Sequence, residues 1–255
     1  MTAVDHPTRA PRRRLRSAAA GVVCALALGG IGCASAGEAP LIMLDPGHTA
    51  RLPGAVGVRG TAEVEYNDAF VALLAPRLVR AGFRVETTRA PGEELDLDAR
   101  AGRAVARGAW LLLSIHHDSA QLQFLREERR DGKPAFRDTR PIRGYSLFVS
   151  GQNPQYERSR RAAEAIGRRL LALGRPPTLH HAEAIPGEAR PLLDARLGIY
   201  RFDELRVARV ATCPAVLLEV GVLVDEQDEA YVSDPAHRAA IADAIVQGLV
   251  DLRGT

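Results

Sequence analysis

The chain has 255 residues, 46% of them hydrophobic and 25% charged, which suits one globular domain with a full core plus an N-terminal extra. Residues 1–36 carry five Arg and one Asp, and subtracting their +4 from the formal +3 leaves −1 for the rest, which excludes a basic nucleic-acid face. Only Cys213 lies beyond residue 36, which excludes an intrachain disulfide framework there.

The basic excess has a local reason. Arg9, Arg12, Arg13, Arg14 and Arg16 precede an apolar run at 18–31, and Ala34-Ser35-Ala36 follows as a small-x-small site. That order reads as a signal peptide over 1–36, with export to a periplasmic or extracytoplasmic compartment. Arg13-Arg14 lacks the rest of a twin-arginine motif. Cys33, after Gly32, offers lipidation and a lipoprotein as the alternative, although Gly30 stands where a lipobox usually has Leu. Apart from the leader, no apolar stretch is long and clean enough for a transmembrane helix, so none is expected in the mature chain, 37–255.

Beyond the leader, strand and helix patterns alternate. The apolar run 41–44 ends in Asp45-Pro46-Gly47, a strand entering a turn. Gly54, Gly57 and Gly60 mark a loop. Asn67 opens a predicted helix with Phe70, Leu73, Leu74 and Leu78 on one face, Pro76 as a candidate kink and Gly82 as its end. Residues 83–88 alternate like a strand, and 95–106 repeat with a helical period until Gly108. The unbroken apolar run 110–115 suits a strand covered on both faces. Further strands are expected at 145–150 and 215–218, and helices at 159–173 and 236–252. This order gives an α/β fold: a single-domain, three-layer α/β/α sandwich around a mostly parallel mixed sheet. Two stretches break the rhythm, the charge-dense 121–143 and the Pro-rich 176–194 with His180-His181. Both are expected as loops or short helices outside the core.

Ligands in α/β folds gather at the C-terminal ends of strands, so His and carboxylates just past predicted strands are the first candidates for chemistry. His48 follows the first strand in Leu-Asp-Pro-Gly-His, and His116 follows 111–115 in Ser-Ile-His-His. Glu219 ends Val216-Leu217-Leu218, where a charge is rarely tolerated without a partner. Glu63 is placed to turn a carboxylate back toward the sheet edge, but pattern alone does not rank it above Glu65. Zinc uses such imidazole and carboxylate ligands, and a catalytic site leaves one position for water. Cys213, before Pro214, reads as a core residue rather than a nucleophile. His117, His180 and His181 read as core or surface residues.

The segment 42–48, then Gly54-Ala55 and Gly57, Gly60 to Glu63, and Asn67 resemble one family in order. Ser114-Ile115-His116 and Pro214-Ala215-Val216-Leu217-Leu218-Glu219-Val220-Gly221 continue the match. The chain resembles the zinc-dependent N-acetylmuramoyl-L-alanine amidases, the type 3 cell-wall amidases, over roughly residues 41–252. The resemblance implies a single Zn²⁺ held by His48, Glu63 and His116, with Glu63 preferred to Glu65 by its distance from Asn67. It implies Glu219 as the catalytic carboxylate, taking a proton from a zinc-activated water and passing it to the leaving amine. The substrate would be peptidoglycan, cut between N-acetylmuramic acid and L-alanine, with an activator protein as a further partner. The alternatives are a zinc hydrolase of the same fold acting on another amide or peptide, and an inactive wall-binding regulator; the intact set of four argues against the second.

Three departures from the family pattern stand out. His117 replaces a usually small residue, and is open as a supporting group, a substrate contact or a competing ligand. Thr49-Ala50-Arg51 stands where many relatives have glycines, and the chain after Glu219 lacks the usual Phe and Asn. Residues 121–143 leave the sheet directly after His116-His117-Asp118, and are expected as an insert and candidate lid.

Overall fold

The computed structural model describes residues 38–254, so the leader, its cleavage site and Cys33 lie outside the described residues. Strand β1 (Leu41–Pro46) is buried at every position, as a strand covered on both faces must be. Helix α1 (Glu63–Arg80) follows, then β2 (Arg84–Thr87), α2 (Leu97–Ala106) and β3 (Leu111–Asp118). A hairpin of β4 (Leu125–Arg130) and β5 (Lys133–Asp138) leads to β6 (Ser146–Val149) and α3 (Tyr156–Ala172). Two short strands, β7 (Leu192–Asp194) and β8 (Ile199–Arg201), precede α4 (Arg206–Val210) and β9 (Ala215–Val222). Helices α5 (Glu226–Ser233) and α6 (Pro235–Arg253) complete the described chain.

The central sheet has the order β2-β1-β3-β9-β6-β8-β7. Pairings from β2 through β9 are parallel, as is β6 with β8, whereas β6 meets β9 and β7 meets β8 antiparallel. The sheet is therefore mixed and mostly parallel, as expected. Alternation along each strand divides the side chains between two faces. Ile42, Leu44, Leu111, Leu113 and Ile115 pack with Phe70 and Leu74 of α1, Ile166 of α3 and Ile245 of α6. Leu41, Met43, Leu112 and Ala215 face the other way, against Ala101 and Ala104 of α2 and Ala208 of α4. Cys213 is buried in that second cluster, a core residue as expected. Among the described residues no helix is long and apolar enough to cross a membrane.

Several elements differ from the pattern-based expectation. α1 starts at Glu63 rather than Asn67, because preceding-loop carbonyls accept its first amide hydrogens: Glu63 N–H donates to Ala55 O at 2.8 Å and Val64 N–H to Pro53 O at 3.0 Å. The Glu65 carboxylate also accepts from Ala62 N–H at 3.3 Å, reaching back over the helix start. β3 and β9 run past their apolar runs, to Asp118 and Val222, because parallel pairing continues through His116 and Glu219. Residues 121–143 contain a tight antiparallel hairpin rather than loops alone. Its two-residue tip, Asp131-Gly132, has positive φ at both positions (52° and 78°), the turn that matches strand twist. The hairpin bonds to Gly57 O through Phe136 N–H and to Val224 O through Asp138 N–H, and Leu125 and Phe136 pack on Ile142, Val222 and Val224.

Candidate metal centre

The turn after β1 is built to present a side chain. His48 has φ 66°, a left-handed conformation uncommon for a residue with a Cβ, so the surroundings must hold it. Two buried arginines do so. Arg100 donates to Pro46 O at 2.7 Å and His48 O at 2.6 Å while paired with Asp45 at 3.0 Å. Arg89 donates to Pro46 O and Gly47 O and pairs with Asp68 at 2.7 Å. Asp45 itself also accepts from Thr88 and Ser114, so its buried charge is fully bonded.

His48 Nδ1 lies 3.1 Å from Leu52 O. A carbonyl only accepts, so Nδ1 donates and Nε2 is the atom turned toward a ligand. That atom is 3.0 Å from Glu63 Oε2, while His116 Nδ1 is 2.9 Å from Glu63 Oε1. His48, Glu63 and His116 thus offer one ligand atom each within 4.8 Å of one another. Two glycines make the approach: a methyl on Gly47 would sit 2.3 Å from the His116 ring, and one on Gly54 would sit 2.3 Å from Glu63 Oε2. Glu65 lies on the same first turn but reaches back to accept from Ala62 N–H at 3.3 Å.

Glu63 is buried at 4% exposure. Burial alone would raise its carboxyl, but hydrogen bonds and charges from His116 and His48 outweigh it and hold the group far below the usual carboxylate range. Amide hydrogens of Ala55 and His117 and the Asn67 side chain add further donors, and its place in the first turn of α1 adds the positive helix end.

Glu219 lies directly opposite His116 in the β3–β9 register. Its Oε2 is buried without a hydrogen-bond partner. Burial, then the charges of Asp118 and Glu63, raise its carboxyl well above the usual range. Beside His48 and His116 a cleft of about 1110 Å³ opens, with Arg51, Leu97, Arg206 and Leu217 among its walls.

The family described as N-acetylmuramoyl-L-alanine amidase matches residues 42–251, spanning both histidines and both carboxylates. The chain belongs to this family. It is 25% identical over 232 residues to the N-acetylmuramoyl-L-alanine amidase AmiC of Neisseria meningitidis serogroup B, covering 84% of this chain. The match takes in 52% of AmiC, so the chain spans about half the length of that curated relative. Its fold is similar to the catalytic domain of CwlV, an N-acetylmuramoyl-L-alanine amidase from Bacillus (Paenibacillus) polymyxa var. colistinus. There the TM-score is 0.63 at 24% identity, over 84% of this chain and 98% of CwlV's. It is also similar to the CwlD amidase of Clostridioides difficile, solved in complex with the GerS lipoprotein, with TM-score 0.62 at 19% identity over 84% of this chain and 98% of that one.

Two features of this family member are not legible in the sequence. His117, the departure next to His116, points to the opposite face of β3, buried beside Tyr66 and Phe70. Its Nδ1 is 2.7 Å from Asn67 Oδ1, and Asn67 Nδ2 donates to Glu63 Oε1 at 3.2 Å. His117 therefore supports Glu63 through Asn67, and is turned away from the position of a competing ligand. Burial pushes its imidazole down to about 3, so it is neutral. Asp118, at a register shift ending the β3–β9 pairing, meets His180 and His181 from the irregular 176–194 stretch. Adjacent histidines in a Pro-rich loop are the one local signal, and nothing in the pattern links them to residue 118.

Proposed function

We propose that this chain hydrolyses the amide between N-acetylmuramic acid and L-alanine in peptidoglycan, using one zinc ion held by His48, Glu63 and His116. The carrying observation is the convergence of two imidazole nitrogens and an ionised carboxylate beside a protonatable one, Glu219, on the next strand. The donor set fits zinc: two nitrogens and one oxygen, with the far nitrogen of His48 fixed by a carbonyl. Glu219 Oε2, buried and unpartnered, fits a water or substrate proton that would complete it. Bound there, zinc supplies the Lewis acid that amide hydrolysis needs at neutral pH.

The chain's own residues supply the remaining chemistry. Glu219 exchanges a proton at its carboxyl, taking one from the attacking water and delivering one to the leaving L-alanine nitrogen. The raised affinity of that carboxyl for protons suits delivery to an amine. Glu63, held ionised, keeps the ligand set anionic, and Asn67 with His117 fixes its orientation. The cleft beside His48 has room for sugar and the first peptide residues, and Arg51 on its wall suits a carboxylate of a stem peptide.

The leader over 1–36 supports export to the wall, with Cys33 as the alternative anchor. The GerS lipoprotein bound to the CwlD amidase supports a lipoprotein or other activator as a partner. The test is digestion of purified wall sacculi, with and without a chelator, followed by mass analysis. Release of peptides with a free L-alanine amine from intact glycan, abolished by the chelator and restored by zinc, is expected. Peptide fragments cut elsewhere in the stem would replace this reading with a peptidase.

A further inference from the structure

Next to Glu219 stands a second group of imidazoles and a carboxylate that the proposed hydrolysis does not use. His180 and His181 form a short 3-10 turn over the β6 and β8 part of the sheet, with His181 edge-on to Phe148 and Tyr200. Both are buried, at 6% and 7% exposure. Asp118 Oδ2 lies 2.8 Å from His181 Nε2 and 3.5 Å from His180 Nε2. We propose that Asp118, His180 and His181 form a second binding site, for a divalent transition-metal ion of the zinc class.

Four observations carry this. The three ligand atoms lie within 4.8 Å of one another, and tetrahedral bonds of about 2.0–2.1 Å put ligand atoms roughly 3.3 Å apart, so little movement is needed. The outward nitrogens are already engaged: His180 Nδ1 is 2.9 Å from Thr178 Oγ1, and His181 Nδ1 is 2.9 Å from Glu188 Oε2. Glu188 is held in turn by Arg190 and Gln121. Outer partners of this kind orient metal-bound imidazoles and turn Nε2 toward the ion. His180 Nε2 is buried with no hydrogen-bond partner, although it points toward Asp118; a ligand there satisfies it. Finally, a cavity of about 220 Å³ beside Asp118 and His181, reaching Glu219, leaves room for a fourth ligand.

The donor chemistry selects the ion. Two imidazoles with one carboxylate suit zinc and its neighbours, whereas calcium and magnesium favour oxygen ligands. The competing arrangement is an ion-pair network in which the His181 imidazolium donates Nε2–H to Asp118 and Nδ1–H to Glu188.

The test is competitive titration of metal-stripped protein with zinc against a chromophoric chelator, on the wild type, His180→Ala and Glu63→Gln. Two equivalents in the wild type and one in each variant are expected. Asp118→Asn, close in size, provides a second variant, and circular dichroism checks the fold of each. A wild-type stoichiometry of one, lost in Glu63→Gln and kept in His180→Ala, overturns the second site and leaves the first standing. One equivalent lost in His180→Ala and kept in Glu63→Gln supports the second site and overturns the first.

Discussion

The two groups flanking Glu219 each combine one carboxylate with two imidazoles, yet they are assembled in different ways. His48, Glu63 and His116 come from three elements: a turn after β1, the first turn of α1, and the end of β3. Their carboxylate is central, and glycines at 47 and 54 let the rings close on it. Asp118, His180 and His181 instead join the last residue of β3 to adjacent residues of one irregular turn. Here the rings are held mainly by side chains outside the group, Thr178 and Glu188. A site on rigid elements is positioned by the fold itself; a site on a turn depends on its hydrogen-bond neighbours.

The charge states differ accordingly. Glu63 is held ionised by two flanking rings. At the other group burial opposes the charge on His181, but Asp118 and then Glu188 outweigh it and push the imidazole up to about 9. At either group a metal takes the place of protons shared between ring and carboxylate.

The largest expected effect tests whether Glu219 stands apart from both groups. Glu219→Gln should lower kcat by about 10²- to 10⁴-fold, the usual contribution of a general acid–base residue, with zinc content unchanged. Loss of zinc along with activity would make Glu219 a ligand and dissolve the comparison. Next in size is the support of Glu63. Asn67→Ala should weaken zinc at the first group by about 10- to 100-fold, as loss of an outer partner does, and leave any second equivalent untouched; chelator competition measures both.

His117 gives a pH signature on the first group's side of β3. Unfolded, it takes a proton near 6.5, whereas folded it does so only near 3. The unfolded state therefore binds the extra proton first, so stability is full above 6.5 and falls as pH drops toward 3. Denaturant midpoints of metal-stripped protein between pH 7 and 4 should decline less steeply in His117→Gln; equal slopes would show that the ring is not buried neutral. The smallest expected effect concerns the 121–143 insert. Its hairpin bonds to Gly57 and Val224, and none of its strand residues lines the cleft beside His48. Joining Ala120 to Gly144 by a short flexible linker should lower the melting temperature by exposing Val222 and Val224, with wall hydrolysis unchanged. Faster hydrolysis at unchanged zinc content would make the insert a restraining lid.

Part of the site is legible in the residue order. The apolar runs ending at Asp45, Ile115 and Leu218 locate three parallel strands, and the histidines and carboxylate just beyond them follow from where such sheets open. Resemblance selects Glu63; in the structure loop carbonyls start α1 early and that residue is buried, while Glu65 turns back on Ala62. The hairpin is readable in Asp131-Gly132 but hidden by charge, because β4 carries a single apolar residue, Leu125, and so shows no alternation.

By itself the sequence determined the alternation of strand and helix, because burial imposes periods of about two and 3.6 on local residue order. It also determined which residue types stand at the strand ends. The pleat turns His117 away from His116, but only the tertiary structure set Asn67 of α1 beside it. Only the tertiary structure brought Asp118 to His180 and His181, across more than sixty intervening positions. Such contacts depend on the crossing of distant segments over a common sheet, and no local period in the chain encodes that.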